Sequence, residues 1–159
     1  MPKGIMRRKR RPYTHMSTLS RREAREQVLG LLFETEFRCD ESSVEIFATS
    51  VEDREIPNDD YIKKAYFGIK DNQNEIDETI GKHANGWKTS RLTNLSRSIL
   101  RLAVYEMLYE TEIPYSVSIN EAVELAKKYD EDKARPFING VLNSIKNELE
   151  GKDTDGEKK

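Results

Sequence analysis

The stretch Leu92-Thr93-Asn94-Leu95-Ser96-Arg97-Ser98-Ile99-Leu100-Arg101-Leu102-Ala103-Val104-Tyr105-Glu106 carries the strongest structural pattern of the chain. Six of its residues follow the three- and four-residue spacing of one face of an α-helix: Leu92, Leu95, Ile99, Leu102, Ala103 and Glu106. Pro114 follows and ends the pattern. The stretch therefore predicts a strong helix that packs through one face.

Helical spacing recurs on both sides of this stretch. It predicts helices over 20–37, 44–51, 58–80, 117–129 and 137–149, the third capped by Asn58 and the last carrying Pro136 in its first turn. Ser20 with Glu23, and Ser42 with Glu45, match the capping-box pattern of helix starts. No segment alternates convincingly with a period of two residues. The sequence therefore predicts an all-α fold packed as bundles, with a break near residues 81–86 between sub-bundles at about 16–84 and 85–150.

Composition limits the classes of protein that fit the chain. Hydrophobic residues make up 36% of the 159 residues and charged residues 35%. No run approaches the roughly 18 apolar residues of a membrane span, and no signal peptide is present. The single cysteine, Cys39, excludes an intrachain disulfide and a multi-thiolate zinc site within one chain. These features predict a cytoplasmic protein without a membrane partner.

The charge is concentrated at the amino-terminal end. Residues 1–25 contain nine lysines and arginines against Glu23 alone, a net charge of +8, so the remaining residues carry −10. Such a basic end predicts an anionic partner, with nucleic acid as the first candidate. Residues 1–15 are expected to be a disordered basic extension, either native or added ahead of a true start at Met16. Residues 151–159 are expected to form a disordered charged tail after a helix stop at Gly151.

Motifs for catalysis are weak. Residues 81–89 approach a phosphate-binding loop, but Trp87 interrupts the motif and no strand precedes it. His15 and His83 are the only histidines, and His83 is interpreted as a surface residue. No metal-ligand spacing or nucleophile–base set appears. The sequence therefore predicts that the chain is not an enzyme and has no cofactor or metal.

Polar residues inside two strong helical patterns call for a structural explanation. Asn120 and Glu121 interrupt one apolar stretch, and Asn139 with Gly140 interrupts another. We expect Asn139 and Glu121 to form hydrogen bonds across this helix pair and to fix its register. Close helix approach at Gly140 would offset the roughly 1 kcal/mol that a mid-helix glycine costs.

Five segments, taken together and in order, resemble the transcription antitermination factor NusB family. They are Arg22-Glu23-Ala24-Arg25-Glu26, the central segment 96–106, Ile113-Pro114-Tyr115, residues 119–127 and Phe137-Ile138-Asn139-Gly140-Val141-Leu142. The resemblance covers residues 17–150. It implies two small helical bundles packed across each other. It also implies binding of the boxA element of single-stranded leader RNA and a heterodimer with the ribosomal protein NusE. That complex would join RNA polymerase and suppress termination on ribosomal RNA operons, through recruitment and not catalysis.

The resemblance also assigns roles to residues of this chain. RNA contacts fall on Arg21, Arg22, Arg25, Lys133, Arg135 and Phe137, where the phenylalanine either stacks on a base or packs in the core. NusE contacts fall on Ser96, Arg97, Arg101 and Glu106, where Arg101, like Tyr105, either faces NusE or packs at the edge of the core. Ser96 stands where many family members carry an acidic residue, and the loop 130–136 lacks the family's common serine cap.

Two alternatives stay open at this point. One is a helical protein–protein adaptor that does not bind RNA. The other is a homodimer that hides the RNA-binding face. The acidic charge of residues 26–159 does not decide whether the chain forms this homodimer.

Overall fold

A computed structural model of the protein describes residues 19–84 and 92–158, with side chains described as far as Gly151. The expected basic extension at 1–15 and Trp87 in the polar break lie outside the described residues. The described residues form seven helices and no strand, which confirms the predicted all-α fold. The helices are α1 (Arg21–Phe37), α2 (Ser43–Arg54), α3 (Asp60–Asp71), α4 (Gln73–His83), α5 (Asn94–Tyr109), α6 (Tyr115–Tyr129) and α7 (Ala134–Lys158).

The first two helices begin where the sequence predicted. The Ser20 hydroxyl accepts a hydrogen bond from the backbone N–H of Glu23, whose carboxylate accepts one from the N–H of Ser20 in return. Ser42 and Glu45 form the same reciprocal pair at the start of α2. Both capping boxes are therefore present, and each satisfies backbone donors that a helix start leaves without partners.

The predicted third helix is two helices. Asp59 caps α3 in place of Asn58, by accepting a hydrogen bond from the backbone N–H of Ile62. The helix then ends at Asp71, and the side-chain amide of the next residue, Asn72, donates to the carbonyl of Gly68 over 2.8 Å. This bond satisfies a carbonyl at the end of α3, and α4 starts at the next residue. Apolar spacing continues across the junction because both helices face the same core, so periodicity alone did not reveal the break.

The last helix runs further than the sequence predicted. Pro136 lies in its first turn, but the helix continues through Gly151 to Lys158. Glycine only weakens a helix interior, and a helix that is already anchored by a buried face can continue past one. The expectation of a stop at Gly151 and a disordered tail is corrected for residues 151–158.

Helix α5 lies at the centre of the molecule. It packs against α1, α3, α4, α6 and α7. Ile99, Leu100 and Val104 are completely buried, so the helix is covered on nearly all sides and not only on one face. One continuous hydrophobic cluster includes side chains from all six of these helices. This core crosses the predicted boundary between residues 16–84 and 85–150, and the division into two sub-bundles stays a prediction.

His83 joins two helices. Its Nδ1 lies 2.7 Å from the Ser144 hydroxyl and its Nε2 lies 2.7 Å from a Glu148 carboxylate oxygen. The ring is largely covered, which corrects the interpretation of His83 as a plain surface residue. It connects the end of α4 to α7.

No helix in the described part of the chain has the length and apolar character needed to cross a membrane.

Candidate nucleic-acid interface

Arg21 and Arg22 lie in the first turn of α1 and reach the surface there. The guanidinium carbon of Arg21 lies 4.2 Å from the centre of the Tyr61 ring, within the range of a cation–π contact. Arg22 donates from Nε to Oε1 of Glu121 over 3.0 Å and from Nη2 to Oε2 over 2.8 Å. These contacts hold both cations in place, while 62% of the Arg22 side chain stays exposed.

Arg25 was expected to contact phosphates, and that role stays a prediction, but in this structure its side chain is turned into the core. Its side chain is 6% exposed and donates to Glu106 through Nε over 2.6 Å and Nη2 over 3.2 Å. Glu106 also accepts hydrogen bonds from the hydroxyls of Tyr61 and Ser118. Arg25 is buried because it precedes Val28 and Leu32 at helical spacing on the core side of α1.

The three expected RNA contacts near α7 differ in accessibility. Lys133 lies in the turn before the helix, and its side chain is 86% exposed. Arg135 is partly exposed and lies 3.7 Å from a carboxylate oxygen of Asp132. Phe137 is half-buried and packs against the hydrophobic core. Lys133 and Arg135 can therefore reach a ligand, whereas the main contacts of Phe137 are structural.

Two further lysines lie near Arg22. Lys127 and Lys128, in the last turn of α6, line a groove between α1 and α6 together with Arg22. Lys128 donates to Glu26 of α1 over 2.8 Å. Neither lysine was predicted from the sequence as a site residue, since two lysines at a helix carboxyl end are ordinarily explained by the helix dipole. We call Arg21, Arg22, Lys127, Lys128, Lys133 and Arg135 the cation row.

Carboxylates are interspersed with the cation row. Glu26, Glu121 and Glu124 line the same groove between α1 and α6. The hydrogen bond from Arg22 lowers the pKa of Glu121, so this carboxylate stays ionised at neutral pH. The groove is therefore a mixed surface in which several cations are fixed by acidic neighbours.

Aromatic side chains are exposed at the other end of α1. The rings of Phe33 and Phe37 lie edge to face with their centres 5.0 Å apart, and Phe37 is 64% exposed. With Leu95 and Tyr129 they line a shallow depression bordered by Asp130 and Glu131. We call Phe33, Phe37, Leu95 and Tyr129 the aromatic patch. Phe37 and Tyr129 matched the apolar spacing of their helices, so the sequence placed them with the core.

Most of the residues expected to contact a protein partner are engaged within the chain. Ser96 is buried and donates to Asp130 over 2.5 Å, and Glu106 is the buried partner of Arg25. Arg101 is 11% exposed and pairs with Glu36 and Asp77. The NusE contacts of these three residues stay predictions, while the central position of α5 turns their side chains toward neighbouring helices. Arg97 is partly exposed and donates to Asn94.

The predicted polar contact between the last two helices is absent among the described contacts. Glu121 bonds to α1 and not to α7. Asn139 is exposed and accepts a hydrogen bond from Asn143 of its own helix. Asn120 is exposed as well, and a Cβ on Gly140 would meet no atom within 4 Å. Gly140 therefore does not serve close helix approach, and this expectation is corrected.

Comparisons with known proteins agree with this architecture. The profile of the NusB family matches residues 22–147. Transcription antitermination protein NusB of Bacillus pumilus is 42% identical over 134 residues, which cover 82% of this chain and 98% of that protein. The Bacillus subtilis protein of the same name is 41% identical over 132 residues, covering 83% of this chain and 98% of the relative.

Solved structures of similar chains have the same fold. Thermotoga maritima NusB superposes with a TM-score of 0.71 at 36% identity, covering 81% of this chain and 92% of the other. A chain from a crystal structure of antitermination factors NusB and NusE in complex with dsRNA superposes with a TM-score of 0.69 at 34% identity, covering 79% and 94%. The chain described here therefore belongs to the NusB family of transcription antitermination factors.

Proposed function

We propose that this protein binds the boxA element of leader RNA together with NusE and helps RNA polymerase read through terminators in ribosomal RNA operons. The observation that carries the proposal is the cation row, which gathers six lysines and arginines along α1, α6 and the start of α7. The chain as a whole has a net charge of −2. A local row of cations on such a chain is the electrostatic signature of a polyanion site.

The shape of the cation row suits an extended single strand. Arg22 contacts α6 at Glu121, and Lys133 follows the end of α6 at Tyr129. Eight residues of helix separate Glu121 from Tyr129, a rise of about 12 Å. One phosphate cannot bridge that distance, but a strand running beside α6 can contact both ends. This arrangement supports a polynucleotide strand, and not an isolated phosphate group, as the ligand.

The aromatic patch is the proposed docking site for NusE. Exposed aromatic side chains are enriched at the centres of protein interfaces. The related crystal structure that contains NusE favours NusE as the occupant. Asp130 and Glu131 border the patch and complement a basic ribosomal protein. Tyr129 adjoins Lys128, so RNA and NusE would meet at the end of α6.

A protein–protein adaptor without RNA binding is the second candidate. The carboxylates of Glu26, Glu121 and Glu124 favour it, because they repel phosphate within the groove that holds part of the cation row. Such an adaptor would use the aromatic patch alone. A homodimer through either surface is the third outcome that a binding experiment must distinguish.

Titration of labelled single-stranded boxA RNA tests the RNA proposal. Arg22→Gln should weaken binding about tenfold, since it removes one charged phosphate contact. Lys82→Gln is the matched control, because Lys82 is exposed on α4, away from the groove between α1 and α6. Equal affinity of wild type and Arg22→Gln would favour the adaptor. Double-stranded boxA RNA in a parallel titration distinguishes the form of RNA that is bound.

Binding to purified NusE tests the protein interface. Phe37→Ser should weaken the complex at least tenfold without affecting the fold, because this ring is already mostly exposed. Val44→Ser removes an equally exposed apolar side chain on α2 and should bind NusE like the wild type. Equal binding by both variants would remove the aromatic patch from the proposal. Sedimentation of the chain alone measures whether it dimerises instead.

A further inference from the structure

Glu121 lies between two arginines of α1 that have different environments. On the outside it accepts two hydrogen bonds from the exposed Arg22. On the inside one of its oxygens lies 3.8 Å from Nη1 of the buried Arg25. Only 16% of the Glu121 side chain is exposed. Its carboxylate is therefore held in one place from both sides.

The core side of this arrangement is fixed by Glu106. Glu106 is 1% exposed and holds the Arg25 guanidinium through two hydrogen bonds. Because Arg25 cannot move without leaving that buried carboxylate, it gives Glu121 a fixed positive neighbour. The charges alternate from the core to the surface in the order Glu106, Arg25, Glu121 and Arg22.

The hydrogen bonds of Arg22 use one edge of its guanidinium. Nε and one N–H of Nη2 point to Glu121, as in a side-on pair with a carboxylate. The second N–H of Nη2 and one N–H of Nη1 form the adjacent, outer edge. With 62% of the side chain exposed, this outer edge can donate to a phosphate while the inner edge keeps its bonds to Glu121.

We propose that Glu121 is a positioning residue of the RNA site, which holds Arg22 so that its outer edge meets an RNA phosphate. This inference rests on the proposed function, in which Arg22 contacts RNA. A flexible arginine loses rotamer freedom when it binds, and a side chain that is fixed in advance loses less. The usual expectation for a carboxylate beside a phosphate is repulsion alone. Repulsion alone predicts that substitution of Glu121 strengthens RNA binding. The positioning role predicts that the same substitution weakens it.

Two substitutions with the same change of charge test the proposal. Glu124 lines the same groove as Glu121, is exposed, and makes no described hydrogen bond to Arg22. Glu121→Gln should weaken binding of labelled single-stranded boxA RNA about three- to tenfold. Glu124→Gln should bind as tightly as the wild type or more tightly, because it only removes repulsion. Glu121→Gln binding as tightly as wild type or more tightly would overturn the proposal.

A double-substitution experiment separates positioning from a general structural effect. In an Arg22→Gln background, Glu121→Gln should cause no further loss of RNA affinity, since there is no guanidinium left to position. An equal loss in both backgrounds would mean that Glu121 acts through the fold and would overturn the proposal. Thermal melting of each variant checks folding independently.

The same series distinguishes this inference from the proposed function. If Arg22→Gln binds RNA like the wild type, the proposed contact and the positioning role fail together. If Arg22→Gln binds weakly but Glu121→Gln binds normally, only the positioning role fails. Glu121→Ala serves as a second variant and should behave like Glu121→Gln, because it also removes the bidentate partner of Arg22.

Discussion

Arg25 of α1 and Glu106 of α5 form a hydrogen-bonded ion pair inside the molecule, with 2.6 Å between Nε and Oε2. Tyr61 of α3 and Ser118 of α6 donate to the same carboxylate. Four helices therefore meet at Glu106. A buried carboxylate with several donors is satisfied only in one arrangement of the elements that supply them. We interpret this cluster as the polar contact that fixes how α1, α3 and α6 pack on α5.

Removing one member of the pair should destabilise the fold strongly. Arg25→Met keeps much of the side-chain volume but leaves Glu106 buried without its cation, at a cost of about 3–5 kcal/mol. Urea unfolding followed by circular dichroism measures this loss. Arg22→Gln is the control, because its exposed side chain should leave the unfolding midpoint nearly unchanged. A similar midpoint for both variants would show that the buried pair does not stabilise the fold.

Substitution by alanine should change the stability of the protein in opposite directions at two helix glycines, Gly68 and Gly140. A Cβ on Gly68 would lie 2.7 Å from Cε1 of Tyr105, whose hydroxyl is bonded to Glu110. Gly68→Ala should therefore destabilise the protein by about 1–3 kcal/mol, because the ring must shift within the core. Gly140→Ala meets open space and should stabilise it by up to about 1 kcal/mol. Thermal melts of the two variants check the signs, and a destabilised Gly140→Ala would contradict the open position of this residue.

Acid should weaken the attachment of α2 to α1. Burial raises the pKa of Glu34, but hydrogen bonds from Ser50 and Arg38 and the charge of Arg54 outweigh it and hold the pKa below its ordinary value. Since the unfolded chain has the higher pKa, about 4.3, it binds more protons as the pH falls. The contribution of Glu34 is thus complete above about pH 5 and is lost as the pH falls through the folded-state value.

Glu34→Gln makes this pH dependence measurable. We expect the variant to lose about 1 kcal/mol of unfolding free energy at neutral pH, allowing for partial exposure of the carboxylate. The difference between wild type and variant should shrink as the pH falls from about 5 toward 3. Chemical unfolding at several pH values gives both curves. A difference in unfolding free energy that stays constant down to about pH 3 would contradict the role given to ionised Glu34.

The salt dependence of RNA binding should report individual members of the cation row. For single strands, each neutralised phosphate contributes about −0.7 to the slope of log K against log salt concentration. Lys133→Gln should therefore make the slope shallower by about 0.7 and weaken all RNA sequences to a similar extent. Fluorescence titrations at four salt concentrations measure this. An unchanged slope would place Lys133 outside the phosphate contacts.

The fold was largely predictable from the sequence, and the site only in part. Apolar spacing and two capping boxes located most helices because those signals are local. Asn72 ends α3 through a bond to Gly68 while apolar spacing continues, so that break was hidden. Gly151 did not end α7, because an anchored helix tolerates one glycine.

The differences between the expected and observed environments of the site residues have a common physical cause. The family resemblance implied binding roles for Arg25, Arg101 and Glu106, but in the structure each pairs with an opposite charge on another helix. Such pairing depends on which helices meet, and one sequence does not contain that information directly. The exposed rings of Phe37 and Tyr129 were missed for the converse reason, since apolar spacing suggests burial. The sequence did contain one sign of the buried ion pair. Glu106 occupies a core-facing position of its helix, and a buried carboxylate needs a cation as its partner.

Binding of boxA RNA with and without NusE is the decisive test of whether this chain recognises boxA together with NusE. Labelled boxA RNA and a scrambled RNA of equal length would be titrated with chains beginning at Met1 and at Met16. We expect both chains to prefer boxA and purified NusE to tighten the binding. Binding by the longer chain alone, equal for both RNAs and unaffected by NusE, would contradict it, because the basic extension would then act as a nonspecific polycation.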